Sequence, residues 1–150
     1  MQIERQLNTD GFYNAYVKVG INVQYTSSWV FTFVTQILKK YNLSLQQYNV
    51  LRALELSHPN PLSVKTISES MVDMNSNVSR LVDKLVDKKL SERHQEDSDK
   101  RKVKITITNE GIVTVQDSTK ELIEQFTNRA KAISEEEAIL LSDLLDKLRG

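Results

Sequence analysis

Asn75-Ser76-Asn77-Val78-Ser79-Arg80-Leu81-Val82-Asp83-Lys84-Leu85-Val86-Asp87-Lys88-Lys89 is the most informative stretch of this 150-residue chain. Val78, Leu81, Val82, Leu85 and Val86 recur at three- and four-residue spacing, which predicts an amphipathic helix. The other face carries Ser76, Asn77, Arg80, Asp83, Lys84, Asp87 and Lys88. Asn75 is placed to cap the helix, and small hydrogen-bonding side chains fill the first turn. Two readings are open for such a helix. Most charge patterns of this kind are solvated faces. The alternative is a helix whose start enters a DNA groove.

The flanking sequence favours the second. Upstream, Ser63 caps a helix in which Val64, Ile67 and Met71 share a face, and a tight turn through Val72, Asp73 and Met74 leads to Asn75. Helix, short turn and helix with a polar first turn is the layout of a helix-turn-helix. Downstream of Lys89 the period changes from about 3.6 to 2. Residues 90–96 predict a polar edge strand, and 102–108 alternates strictly with Val103, Ile105 and Ile107 on the buried side. Asp97-Ser98-Asp99-Lys100-Arg101 between them reads as a charged hairpin tip. A helix-turn-helix followed by such a hairpin is a winged helix. Leu62, just before Ser63, fits a very short further strand.

The ends of the chain have a different character. Phe12, Tyr16, Val19, Val23, Thr26, Val30, Phe33 and Ile37 form a narrow helical seam, with a bend or break expected near Gly20, which weakens a helix by about 1 kcal/mol relative to Ala. Asn42 ends that helix, and Ser44 with Gln47 predicts a capping box for the next, which buries Tyr48, Leu51, Leu54 and Leu56 and stops before Pro59 and Pro61. Residues 108–111 open another helix, with Ile112, Val115, Leu122, Phe126, Ala130 and Ile133 apolar. Ser134 with Glu135, Glu136 and Glu137 caps the last, whose seam is Ala138, Leu141, Leu145 and Leu148. One domain of 1–150 is expected, mainly α with a small β-hairpin wing. The winged helix-turn-helix covers about 44–108, and helices of about 10–42 and 109–148 await a second subunit.

Charge agrees with this division. Residues 1–74, 75–104 and 105–150 carry net charges of +1, +3 and −4 in a chain that is neutral overall, so the one basic segment contains the quoted helix and the hairpin. The absence of cysteine excludes disulfides and thiolate metal sites. The polar N-terminus predicts no signal peptide, and the most apolar run, 29–34, is too short to span a bilayer, so a cytoplasmic protein with no membrane contact is expected. Enzymatic chemistry has little support: His58 reads as a loop residue, His94 as a solvent-facing strand residue, and no glycine-rich phosphate loop exists. Neither a catalytic residue nor a metal ligand is predicted.

The DNA reading assigns roles. Ser76, Asn77, Ser79 and Arg80 open the helix that would face base edges, where Asn pairs with adenine and Arg with guanine. Lys84 lies one turn further on. Lys100, Arg101 and Lys102 supply cations to the backbone or minor groove, and Asp99 is placed to orient Arg101. Taken alone, Asp99 and Arg101 would be an exposed ion pair worth under about 1 kcal/mol.

These segments resemble the MarR (multiple antibiotic resistance regulator) family of bacterial transcription factors. The resemblance is carried by residues 77–85, by Leu90-Ser91-Glu92-Arg93, by Asp97-Ser98-Asp99-Lys100-Arg101-Lys102 and by Thr108-Asn109-Glu110-Gly111. It implies a homodimer whose terminal helices intertwine, each winged helix reading half of a pseudo-palindrome in double-stranded DNA. By analogy Arg101 enters the minor groove and Asp99 holds it there. It also implies a repressor that responds to a small molecule held between the dimer helices and the DNA-binding lobe. Tyr25, Trp29 and Tyr48 would suit an aromatic or phenolic effector there, although each also fits a packing role. No other cofactor is expected. Two residues depart from the family pattern: Lys89 replaces the glycine that ends the recognition helix and is strained if φ is positive there, and Ser91 replaces an apolar residue and loosens the second strand. A winged-helix module that binds protein rather than an operator is the competing reading, kept open by Asp83 and Asp87 and by the neutral total charge.

Overall fold

The computed structural model describes residues 2–71, 77–96 and 99–150, with 96 and 99–102 as backbone. Val72 to Ser76 and Asp97 to Ser98 lie outside the described residues, so the expected turn before the recognition helix, its Asn75 cap, Ser76 and the first two tip residues do too. Among the described residues the order is α1 (Ile3–Leu7), α2 (Ala15–Lys39), α3 (Leu45–Ser57), β1 (Leu62–Ser63), α4 (Val64–Glu69), α5 (Val78–Asp87), β2 (Ser91–Glu96), β3 (Asp99–Ile107), α6 (Asn109–Ala130) and α7 (Glu135–Arg149). This is the expected mainly helical winged helix-turn-helix with flanking helices.

Local signals set most boundaries. Ser44 and Gln47 form the predicted capping box of α3, and Ser134 and Glu137 that of α7. Ser63 caps α4 and Thr108 caps α6 through side chains that accept backbone N–H groups. Asn42 adopts φ 54°, and the Leu43 N–H reaches back to the Leu38 carbonyl, which closes the turn after α2.

Four expectations need correction. α2 runs unbroken through Gly20, because one glycine costs far less than interrupting a 25-residue hydrogen-bond ladder. α2 begins at Ala15, so Phe12 lies before it, and the short α1 precedes both. Leu56 is 76% exposed, whereas Val50 and Gln47 take the buried places on α3 beside Leu51 and Leu54. Finally, β3 starts at Asp99, so Asp99, Lys100 and Arg101 belong to a strand rather than to the hairpin tip.

The three strands are ordered β1-β3-β2, all antiparallel. Ile105 and Ile107 point inward as the alternation predicted. One core joins Leu38 of α2 and Leu43 after it with Val50, Leu51 and Leu54 of α3, Ile67 of α4, Val78, Val82 and Leu85 of α5, Ile105 of β3 and Val115 of α6. The core therefore lies under the winged helix. The remainder of the long helices projects from it with apolar residues in the open: Tyr16 is 87% exposed, and no residue of α7 is buried.

Candidate nucleic-acid interface

α5 is held by its apolar face and offers the rest. Val78, Val82 and Leu85 are buried, and Leu81 and Val86 pack partly against the core. Asn77 is the helix cap: its Oδ1 accepts the Arg80 N–H at 3.1 Å. The residue expected to read a base thus has its side-chain oxygen committed to the helix start. Both Asn75 and Asn77 suit a cap chemically, and the sequence does not discriminate between them.

At about 100° per residue the exposed positions divide into three rows. Ser79 and Asp83 form the flank beside the wing. Arg93 of β2 bridges them, donating to the Ser79 carbonyl at 3.0 Å and hydroxyl at 3.1 Å and pairing with Asp83 Oδ1 at 3.1 Å. Arg80 lies between the flanks, exposed, and its guanidinium makes no hydrogen bond or ion pair among the described residues. Lys84 shares the other flank with Leu81 and Lys88 and faces the end of α2.

Arg93 is the residue that sequence reasoning left without a role. It binds the wing to the recognition helix across 14 residues of sequence. The usable signal was its place in strand alternation opposite an otherwise unexplained Asp83. Its effect is electrostatic as well as mechanical, because it compensates a carboxylate on the surface that would meet phosphates.

β2 and β3 pair regularly from Ser91–Ile107 to Gln95–Val103. The next pair is Glu96–Asp99, so β3 uses four steps where β2 uses one. The three extra residues are Lys100, Arg101 and Lys102. The predicted cations thus occupy a bulge in the wing backbone, a device that bends a strand and changes the direction of successive residues.

The recognition helix ends as the departure at Lys89 implied. Lys89 has φ 61°; its N–H reaches the Val86 carbonyl and the Leu90 N–H the Leu85 carbonyl, a complete left-handed cap. The Lys89 carbonyl accepts the Thr108 hydroxyl, and the Leu90 carbonyl accepts the Thr108 N–H. Gly111 lies so close that a Cβ there would stand 2.1 Å from the Leu90 oxygen. Ser91 is 1% exposed and its hydroxyl has no hydrogen-bond partner among the described residues, a place that suits the family's apolar residue.

The three candidate effector aromatics are not brought together. Tyr25 and Trp29 border a cavity between α1 and α2, where the Tyr25 hydroxyl bonds Gln6. Trp29 also stacks on Phe33, and Arg129 lies over both rings. Tyr48 instead meets the Thr119 hydroxyl at 3.0 Å, between α3 and α6. No helix among the described residues is long and apolar enough to cross a membrane.

Solved structures share the fold. A MarR-like protein of Bacillus cereus ATCC 10987 is 17% identical over 89% of this chain and 95% of its own, with a TM-score of 0.78. The S. aureus MepR protein in its DNA complex is 24% identical over 92% and 97%, with a TM-score of 0.75. YusO of Bacillus subtilis is 22% identical over 89% and 94%, with a TM-score of 0.66. At these identities the likeness is one of fold: that of the MarR-type winged-helix regulators. No curated protein sequence matches. The family model for the transcriptional regulator SarA/Rot matches residues 32–118, more than half of the chain, and the protein belongs to that family. It is a winged-helix transcriptional regulator and not an enzyme.

Proposed function

We propose that the protein is a homodimeric, ligand-responsive repressor that acts in the cytoplasm on a pseudo-palindromic DNA operator. Residues 44–108 of each subunit would read one half-site, while α2, α6 and α7 join the subunits. One observation carries the reading: the exposed Arg80 at the start of α5, with no side-chain ion pair among the described residues, belongs to the same unit as a wing whose bulge bears Lys100, Arg101 and Lys102. The apolar exposure of α2 and α7 supports the dimer, since one subunit leaves these seams open. A small aromatic or phenolic effector remains part of the proposal. The protein-interaction alternative loses ground, because Asp83 is paired by Arg93 and Asp87 borders a lysine-lined cavity, so neither presents an isolated acid beside the readers.

Fluorescence anisotropy with duplexes from the protein's own promoter region tests this. Arg80→Ala should cost about 1–3 kcal/mol and relax preference at particular base pairs. Arg101→Ala should weaken binding to all sequences and flatten the salt dependence, each phosphate contact contributing a slope of about −0.9. Unchanged binding by both variants would remove the assigned surface.

A further inference from the structure

The flank of α5 that turns away from the wing borders an open groove that the DNA-reading role leaves unexplained. A cavity of about 640 Å³ lies between the end of α2, the start of α3 and the second half of α5. Lys39, Lys84 and Lys88 border it, opposed by one carboxylate, Asp87. Among the described residues none of these four makes a salt bridge, whereas the neighbouring Lys40 pairs with Glu121 on α6. Three cations against one acid around a concave site leave two positive charges uncompensated.

Two of the polar groups around the cavity, Lys88 and Gln47, are held in place, while Lys39 and Lys84 are exposed. Lys88 is half-buried, donates to the Asn42 carbonyl, and donates to Gln47 Oε1 at 3.0 Å. Gln47 is itself 5% exposed, and the same oxygen accepts the Ser44 N–H in the α3 capping box. Burial, and then the charge of Lys84 one turn away, hold the Lys88 ammonium below the ordinary lysine range. An incoming anion would relieve both effects. Thr35 also borders the cavity. A desolvated ammonium and two lysines that make no salt bridge among the described residues border one space.

We propose that this cavity binds a small polyanion, a phosphate ester or a dicarboxylate, whose anionic groups bridge Lys39 on α2 to Lys84 on α5 and to Lys88, which caps its end. The occupant joins a helix outside the winged head to the recognition helix, so its presence sets the position of α5 against α2. Only this regulatory consequence rests on the operator-binding reading; the binding itself does not.

The full-length protein is titrated with citrate and, separately, with inorganic pyrophosphate, by calorimetry and by amide chemical shifts. Sodium chloride at matched ionic strength is the control. Saturable binding is expected, with shifts gathered at Thr35, Asn42, Gln47, Leu81 and Lys88. Lys39→Gln and Lys84→Gln should each weaken it about tenfold, and Lys131→Gln, outside the cavity, should leave it unchanged. Binding of pyrophosphate alone assigns phosphate esters; binding of citrate alone assigns carboxylates. Binding of neither probe, a response that sodium chloride reproduces, or shifts gathered at the wing overturns the proposal. If neither probe binds while Lys39→Gln and Lys84→Gln still weaken duplex binding, the lysines serve the DNA backbone instead. With operator duplex present, pyrophosphate should change affinity severalfold in the parent and not in Lys88→Gln. An unchanged operator affinity, with anion binding intact, overturns the coupling alone.

Discussion

Lys89 closes the recognition helix at φ 61°, where a Cβ meets the following carbonyl. The Thr108 hydroxyl bound to its carbonyl and the apolar contact of buried Leu85 and Leu90 hold it there. Lys89→Gly removes the steric cost but adds freedom to the unfolded chain, so a net gain of about 0.5–1 kcal/mol is expected in urea denaturation. A loss on that substitution would show that the lysine side chain stabilises the cap. Ser91 is the second anomaly of the same joint. Its buried, unpartnered hydroxyl predicts that Ser91→Ala raises stability by about 1 kcal/mol, read as a higher denaturation midpoint with an unchanged slope. Both positions were visible in the sequence as departures from a family pattern. The role of Arg93 was legible only as a strand cation with an unexplained acid at Asp83, because a contact between residues 93 and 79 follows no helical or strand period. The placement of Asn77 was ambiguous for another reason: two asparagines two residues apart are equally competent caps.

Among elements, Arg93 adds a polar link between the wing and the recognition helix to the apolar core they share. Arg93→Met should change global stability by less than about 1 kcal/mol, since the pair is partly exposed. Amide exchange in β2 and the bulged part of β3 should nevertheless accelerate, and duplex affinity should fall. Unchanged exchange would show that strand pairing alone positions the wing. A second link joins α2 to α6. Glu121 accepts from Lys40, from the Tyr41 hydroxyl at 2.9 Å and from Gln125. Lys40 first, then Tyr41, holds its carboxyl below the ordinary range. A depressed carboxylate stabilises the fold above its unfolded value of about 4.3, and that contribution is lost as pH falls through the lower folded value. Glu121→Gln should therefore flatten the acid limb of a melting-temperature profile and leave its shape above about pH 6 unchanged. The elements themselves followed from period and capping chemistry. The exceptions have physical causes: α1 is too short to show a period, α2 absorbs Gly20 through its length, and the β3 bulge arises from hairpin closure rather than from alternation.

For the whole molecule, the uneven core is the main fact. The winged head has a full apolar interior, while Ile139, Leu140, Leu141, Leu144 and Leu148 of α7 are each more than half exposed. Leu141→Asp with Leu144→Asp should convert a dimer into a folded head with exposed helices, detected by sedimentation at micromolar concentration. A parent that sediments as a monomer would contradict the dimer. Sequence periodicity marked these seams as narrow, but it does not say whether a seam meets another part of the chain or a second copy.

The joint at Gly111 has a mechanical meaning. The end of α5, the start of β2, the end of β3 and the first turn of α6 meet around the Leu90 carbonyl, with Thr108 bonded to both Lys89 and Leu90 and no room for even a methyl group between. This is an elbow without slack. The head does not swing on α6 as a separate body; it follows the axis of that helix. In the proposed dimer, a small change in the angle between the two α6 helices would be magnified by their length into a larger change in the distance between the two DNA-facing surfaces. Gly111→Ala would force the elbow open at a cost of about 1–3 kcal/mol or more, and it should uncouple head orientation from the helix that carries it.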